Sequence, residues 1–171
     1  MFLDHIAVLT TGIERFREVN QLHSREPIEV FDDIGSREQY LDGDQVGGRL
    51  LLLQPHGAGP YLRALSKRGP GLHHLGIAVA ELAPALEDWR SRGWEVHPQS
   101  EHAMPGDSGA FLFQRGVPTL IELFVGQTGL SSPAGEVALA ADRDRFPSIV
   151  GVRPAGEGVT ITYRDRVLQM I

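Results

Sequence analysis

The sequence predicts an α+β fold in which one unit, a strand followed by a helix and three more strands, occurs twice. Apolar residues follow the strand period and the helix period in this order from residue 2 to residue 54, and again from residue 72 to residue 125. Two segments also look alike, LDHIAV at residues 3–8 and LHHLGIAV at residues 72–79. Their histidines, His5 and His74, stand 69 residues apart. Internal similarity of this kind indicates a duplicated structural unit.

The first unit is predicted to contain a strand, a helix, three strands and a short second helix, at residues 2–9, 11–22, 28–31, 39–41, 48–54 and 61–67. The first helix has Thr10 or Thr11 as its N-cap and places Ile13, Phe16 and Val19 on one face, as expected for a helix packed on a core. The second helix ends at a Gly-Pro-Gly stop signal, which separates the two units.

The second unit repeats the order, with a strand, a helix and three strands predicted at residues 72–79, 80–92, 94–97, 110–114 and 119–125. We therefore expect one domain over residues 1–127, with modules at about 1–68 and 72–127. Residues 128–171 form a C-terminal extension that we expect to pack on the same domain. Its last two apolar stretches, at residues 159–163 and 166–171, predict a β-hairpin.

Composition excludes several classes of protein. With 171 residues, 42% of them apolar and 22% charged, the chain is an ordinary globular protein. The absence of cysteine excludes disulfides, thiolate metal ligands and cysteine nucleophiles. The net charge of −6 argues against binding to nucleic acid. The apolar runs are too short to span a bilayer, and the N-terminus lacks a signal-peptide pattern. We expect a cytoplasmic protein that binds neither nucleic acid nor membrane.

A carboxylate in an apolar strand points to chemistry. Glu122 lies within TLIELFV at residues 119–125, where a charge is costly unless something pairs with it. With His5 and His74 it could hold a divalent metal ion. The alternatives are two structural histidines and an ion pair between Glu122 and an arginine. Strand alternation predicts that Leu3 and Ala7 share the face of His5. It also predicts that His73 faces away from His74 and has a structural or surface role.

A resemblance to a known superfamily rests on specific stretches. They are YLRALSKRGPGLHHLGIAV at residues 61–79, LDHIA at residues 3–7 and, in part, PTLIEL at residues 118–123. Over residues 1–127 the chain resembles the vicinal-oxygen-chelate superfamily of glyoxalases, bleomycin-resistance proteins and dioxygenases, and within it most resembles methylmalonyl-CoA epimerases. The resemblance implies that paired βαβββ modules form a U-shaped, barrel-like mixed sheet around a metal or ligand cavity. It also implies a homodimer.

The same resemblance assigns roles to individual residues. It implies that His5, His74 and Glu122 hold a divalent ion, whether Co, Zn, Mn, Ni or Fe. Glu122 and Glu38 would be the two bases that move the proton next to the carbonyl of a small-molecule substrate such as an acyl-CoA thioester. Taken from the residues alone, Glu38 could equally be an exposed carboxylate on a polar strand. The basic residues Arg63, Lys67 and Arg68 would either form a solvated helix face or attract CoA phosphates.

The chain departs from the family pattern at one expected ligand. The family often has a fourth ligand four residues before a proline, and here Leu51 occupies that position. Leucine cannot coordinate a metal, and alternation sends Gln54 to the other face. Three possibilities remain: Arg49 or a loop contributes the fourth ligand, the site has only three protein ligands, or the metal site has been lost.

Two histidines and one carboxylate also form the triad of non-haem Fe(II) dioxygenases, which is a second functional possibility. Glyoxalase activity, or non-catalytic ligand binding as in the resistance proteins, are others.

Overall fold

The computed structural model describes residues 1–41, 49–100, 108–126, 135–139, 152–154, 159–163 and 166–171. Its helices are α1 (Ile13–Asn20), α2 (Pro60–Arg68) and α3 (Leu82–Ser91). The strands of the main sheet are β1 (Phe2–Leu9), β2 (Glu29–Phe31), β3 (Ser36–Tyr40), β4 (Arg49–Pro55), β5 (Gly71–Val79), β6 (Glu95–Val96), β7 (Gly109–Phe113) and β8 (Leu120–Val125). Those of a second sheet are β9 (Gly135–Leu139), β10 (Val152–Pro154), β11 (Val159–Tyr163) and β12 (Arg166–Val167).

The main sheet is built from two modules with the same topology. Its strand order is β2-β3-β4-β1-β5-β8-β7-β6, with β1 and β5 antiparallel at the centre. In the first module β1 pairs parallel with β4, and β3 and β2 follow antiparallel. In the second module β5 pairs parallel with β8, and β7 and β6 follow antiparallel. The predicted α+β fold of paired βαβββ modules is confirmed.

The hydrophobic core lies on one face of this sheet. Alternate residues of the central strands, such as Ile6 and Leu75, pack there against Phe16 of α1 and Trp89 of α3. Each such buried side chain contributes about 1.5–3 kcal/mol relative to an exposed one. The opposite face of the sheet carries a smaller apolar cluster that includes Tyr61 of α2. We call this opposite face the cavity face, because the resemblance in the sequence predicts a metal or ligand cavity there.

Two β-bulges interrupt the central strand pair. The register shifts between Leu3 and His5 of β1, so that Asp4 is an extra residue, and again where His73 of β5 is extra. A bulge changes which face the following residues occupy. Leu3 therefore lies in the core with Ile6 rather than on the face of His5. Simple alternation gave the wrong face here.

The C-terminal residues that the structure describes contact the main core. Ile161 and Tyr163 of β11 and Leu168 are buried in it. The side chain of Asn20 at the end of α1 donates a hydrogen bond to the carbonyl of Gln169 at 3.0 Å and accepts one from its amide at 2.7 Å.

The predicted hairpin is present as the β11–β12 pair, although residues 164 and 165 at its turn lie outside the described residues. The sequence interpretation did not predict β9 or β10. Gly48, the predicted start of the third strand after α1, also lies outside the described residues.

The start of α1 differs from the prediction. Its N-cap is Gly12, and neither threonine caps the helix through its side chain. Instead Oε1 of Gln54, on β4, accepts a hydrogen bond from the amide of Ile13 at 3.1 Å. A free amide of the first turn is thus satisfied by a neighbouring strand, which no local pattern reveals. Within the described ranges, no helix has the length and apolarity needed to cross a membrane.

Candidate metal centre

The three predicted ligands meet on the cavity face of the sheet. Nε2 of His5 lies 3.0 Å from Nε2 of His74, and each of these atoms lies 3.1 Å from Oε2 of Glu122. Both histidines are buried, and the glutamate side chain is 16% exposed. Three side chains from distant parts of the sequence thus form a nearly equilateral triangle of potential ligand atoms.

The strand register explains why these side chains converge. Gly76 of β5 pairs with His5 on one side and with Glu122 on the other, while His74 lies two residues before Gly76 on the same face. A Cβ atom on Gly76 would overlap the imidazole of His5. The absence of a side chain at Gly76 therefore leaves the space in which the imidazole of His5 lies.

The Nδ1 atom of each imidazole has a side-chain partner, whereas the Nε2 atom belongs to the triangle. Oδ2 of Asp4 lies 3.0 Å from Nδ1 of His5, and it also accepts a hydrogen bond from the Arg49 guanidinium at 3.2 Å. Nδ1 of His73 lies 2.9 Å from Nδ1 of His74. These contacts leave both Nε2 atoms directed at Glu122. Partners of this kind orient metal-ligating histidines in proteins.

Burial and pairing set the protonation of the triangle. Burial alone would lower the pKa of His5, but hydrogen bonds with Asp4 and Glu122 outweigh it and raise this pKa to about 9. Burial lowers the pKa of His74, because the attraction of Glu122 only partly opposes it. Burial also disfavours the charge of Glu122, yet hydrogen bonds from both imidazoles hold its pKa far below the usual value. Without metal, the site at neutral pH therefore consists of a protonated His5, a neutral His74 and an ionised Glu122.

The donor set fits a divalent cation. If both imidazoles donate to Glu122, two N–H groups face each other across the third side of the triangle, so hydrogen bonds cannot satisfy all three sides at once. One cation between the three atoms satisfies all of them. Ligand atoms about 2.1 Å from an ion, at the near-right angles of an octahedral site, lie about 3.0 Å apart. The observed separations agree with that value.

The position of the usual fourth ligand is apolar. Leu51 of β4 is buried on the cavity face and pairs with Ala7, just as Glu122 of β8 pairs with Gly76 in the second module. Leu51 is therefore the counterpart of Glu122 in the first module. Arg49 does not contribute a ligand atom, because its guanidinium binds Asp4 and lies over the ring of Tyr40. The described residues thus offer three ligands.

Glu38 lies on the same face of the sheet. It pairs with Leu53, a member of the cavity-side cluster, and its side chain accepts a hydrogen bond from the Ser36 hydroxyl at 2.7 Å. Burial raises the pKa of Glu38, the Ser36 bond opposes the rise, and the negative charge of Glu122 adds to it. Glu38 is therefore a partly buried carboxylate within electrostatic reach of the triangle, rather than a fully exposed one.

Aromatic side chains surround the site. Phe111 contacts His74 edge-on with ring centroids 5.3 Å apart, Phe124 stacks with His5 at 6.1 Å and Tyr40 meets His5 edge-on at 5.8 Å. The sequence interpretation missed them, although alternation from Glu122 places Phe124 on its face. Such walls exclude water and strengthen electrostatic interactions within.

His73 is also not where alternation placed it. The bulge turns it to the cavity side, where it is buried and meets Tyr61 edge-on with ring centroids 5.1 Å apart. Burial and the neighbouring His74 lower the pKa of His73 well below its usual value, so its imidazole is neutral.

A basic groove adjoins the site. It has a volume of about 340 Å³ and is lined by His73, by Arg63, Lys67 and Arg68 of α2, and by His97 beyond β6. Among the described residues, no carboxylate forms an ion pair with Arg63, Lys67 or Arg68, whereas Arg37, Arg49 and Arg92 do have carboxylate partners. As far as the described residues go, the three basic side chains of α2 could therefore bind an anion.

The sequence matches no protein-family model and no curated protein. Its fold is nevertheless similar to that of methylmalonyl-CoA epimerase from Mycobacterium tuberculosis, with a TM-score of 0.55 and 24% identity over 74% of this chain and 89% of that one. A Streptomyces coelicolor methylmalonyl-CoA epimerase in complex with 2-nitronate-propionyl-CoA gives 0.54 and 21%, over 74% and 99%. A hypothetical protein from Bacillus halodurans gives 0.57 and 21%, over 76% and 97%.

The chain therefore has the vicinal-oxygen-chelate fold. Several methylmalonyl-CoA epimerases share this fold, as the sequence resemblance predicted.

Proposed function

We propose that this protein is a divalent-metal-dependent enzyme that abstracts the proton next to a carbonyl group, with an epimerase activity of the methylmalonyl-CoA type. The observation that carries this function is the triangle of two imidazole nitrogens and one carboxylate oxygen, with a second carboxylate, Glu38, on the same cavity face. Several solved structures with a similar fold are methylmalonyl-CoA epimerases, which supports the same reaction class.

The chemistry divides between the ligands and Glu38. A divalent ion held by His5, His74 and Glu122 would polarise the substrate carbonyl and so acidify the neighbouring C–H. Glu38 has the raised pKa that suits a general base, because a more basic carboxylate accepts a carbon-bound proton more readily. Epimerisation needs a second proton-transfer group on the opposite face of the carbon, and Glu122, in the other module, would be that group. The reaction requires one carboxylate to be ionised and the other protonated: the ionised one takes the proton from carbon, and the protonated one returns a proton to the other face. Each positioned carboxylate contributes about 10²–10⁴ in rate.

The basic groove supports an acyl-CoA thioester as the substrate class. His73 joins the groove to the triangle, since it lines the groove and contacts His74. A thioester at the metal centre would then extend its acidic nucleotide end past Arg63, Lys67 and Arg68. One solved epimerase with this fold is in complex with methylmalonyl-CoA.

Metal analysis and proton exchange test the function together. Wild-type protein should bind one equivalent of Co²⁺ or Mn²⁺ and should exchange the α-proton of methylmalonyl-CoA for deuterium in D₂O. His74→Ala should abolish both, because it removes one corner of the triangle, whereas His56→Ala, at an exposed histidine near Asp32, should change neither. Unchanged metal content in His74→Ala would contradict the assignment.

The role of Glu38 has a separate test. Glu38→Gln keeps shape and hydrogen bonding but removes the base, so metal binding should persist while epimerisation falls by at least about 100-fold. Glu87→Gln on the exposed side of α3 is the matched control. Full epimerisation by Glu38→Gln would remove Glu38 from the reaction.

A second function is favoured by Leu51. With no fourth protein ligand at that position, the set of two histidines and one carboxylate is that of non-haem Fe(II) oxygenases. Iron in the purified protein together with oxygen-dependent turnover of a catechol would favour this class over the epimerase. A protein that binds no metal but retains small molecules in the cavity would instead be a binding protein.

A further inference from the structure

The duplication makes His73 the counterpart of Asp4. Each residue immediately precedes a proposed ligand, each is the extra residue of a β-bulge in the central strand pair, and each contacts Nδ1 of the ligand that follows it. Because a bulge turns two consecutive side chains to the same side, it lets a residue reach the imidazole next to it. Each module therefore contains one bulge residue that contacts the histidine after it, and this residue is a carboxylate in the first module and an imidazole in the second.

The surroundings of His73 hold its ring in one place. The side chain is 6% exposed and packs edge-on against Tyr61 of α2. The hydroxyl of Thr119, the residue immediately before β8, donates a hydrogen bond to the backbone carbonyl of His73 at 3.3 Å. Strand β8 also carries Glu122, so the element that supplies the carboxylate ligand is tied to the bulge that supports His74.

The direction of the contact between the two histidines follows from the chemistry of the ligand. A histidine that binds a cation through Nε2 carries its proton on Nδ1. In the loaded site, His74 must then donate from Nδ1, and Nδ1 of His73 is the acceptor 2.9 Å away. His73 consequently carries its own proton on Nε2.

We infer that His73 is a positioning residue that fixes the tautomer and ring orientation of His74 by accepting a hydrogen bond from its Nδ1–H, as Asp4 does for His5. This role presupposes the metal centre proposed above. It gives each module one ligand and one adjacent residue that aims that ligand.

Two variants separate hydrogen bonding from packing. His73→Leu fills most of the volume but removes the acceptor, so affinity for Mn²⁺, measured by competition with a fluorescent chelator, should fall by about 10–100-fold. His73→Asn retains an acceptor near the position of Nδ1 and should restore most of the affinity. Equal affinity of wild type and a folded His73→Leu variant would overturn the inference, and so would an equal loss in both variants.

Nitrogen NMR of the wild-type protein gives a readout that depends on no variant. In ¹⁵N-labelled protein loaded with diamagnetic Zn²⁺, His74 should be protonated on Nδ1 and His73 on Nε2. A proton on Nδ1 of His73 would overturn the inference even if His73→Leu failed to fold.

His74→Ala, measured in parallel, separates the two possible failures. If wild type binds no metal, or if His74→Ala binds it normally, the proposed function fails and the inference fails with it. If His74→Ala loses the metal while His73→Leu retains it at wild-type affinity, only the role of His73 fails.

Discussion

Competition between a proton and the metal at His5 gives the sharpest test of the site. His5 must lose its Nε2 proton before that atom can bind a cation. Its pKa is raised to about 9, whereas an ordinary histidine titrates near 6.5. Metal affinity should therefore keep rising with pH up to about 9 instead of levelling off near pH 6.5.

The pKa sets the size of the effect. At pH 7, a group with a pKa of about 9 is about 99% protonated, so the apparent affinity is about 100-fold below its limit at high pH. His74 and Glu122 have lowered pKa values and are already deprotonated at this pH, so they add nothing. Binding at pH 7 should then release close to one proton per ion, against about a quarter of a proton for a histidine with an ordinary pKa.

Isothermal titration calorimetry can measure both quantities. Titrations of Mn²⁺ into metal-free protein in two buffers of different ionisation enthalpy count the protons released, and a series from pH 6.5 to 9 gives the affinity profile. Asp4→Asn removes a carboxylate that raises the pKa of His5, so the plateau should begin at a lower pH. Asp33→Asn, at an exposed position, should leave the profile unchanged.

Two results would refute this reasoning. One is an affinity that does not vary between pH 7 and 9. The other is an Asp4→Asn profile identical to that of wild type, which would mean that the carboxylate behind His5 does not control its proton.

Other perturbations give clear expectations. In metal-free protein the raised pKa of His5 stabilises the fold below about pH 6.5, and this contribution is lost as the pH rises through about 9. Chemical denaturation should therefore show the free energy of unfolding fall by on the order of 3 kcal/mol over that interval. Gly76→Ala should displace the His5 ring and weaken Mn²⁺ binding in the same chelator competition, while Gly57→Ala, where a Cβ meets no neighbour, should not. Leu51→Gln should tighten metal binding by adding a fourth ligand, yet lower the metal-free unfolding free energy by about 1–3 kcal/mol because it buries an amide; unchanged affinity would mean that Leu51 does not face the ion.

Residue types and periodicity were enough to predict the two modules and to single out the three side chains, of His5, His74 and Glu122, that the structure brings together. The order of strand and helix periods along the sequence predicted the strands of both modules to within a few residues. This was possible because each strand has a buried face, which enforces the alternation of apolar and polar residues. Glu122 could be singled out because a charge in an apolar strand needs a partner. What alternation could not predict was the pair of bulges, since an extra residue changes the pairing without changing the local pattern of residues. His73 and Leu3 were misplaced for that reason.

The remaining differences have a related cause. At the start of α1, the amide of Ile13 donates a hydrogen bond to the side chain of Gln54, which lies 41 residues away on β4. The C-terminal strands β9 and β10 are short. Neither feature leaves a periodic signal, because each depends on partners that are remote in the sequence. Tertiary contacts, rather than propensity, determine both.

The differences between the two modules indicate how a symmetric fold acquires an asymmetric site. In the paired registers His5 corresponds to His74, Leu51 to Glu122 and Tyr40 to Phe111. Two residues further along β4 and β8, Leu53 corresponds to Phe124. Because Glu38 pairs with Leu53 and Gly109 pairs with Phe124, Glu38 in the first module corresponds to Gly109 in the second. The module without a carboxylate ligand is thus the one with the additional carboxylate on its neighbouring strand. If residue 51 were also a carboxylate, it would add negative charge beside Glu122. It would also occupy a position on the proposed ion that is otherwise open. On the proposed function, one ligand and one base would be divided between the modules, which would provide the two carboxylates that proton transfer to both faces of a carbon requires.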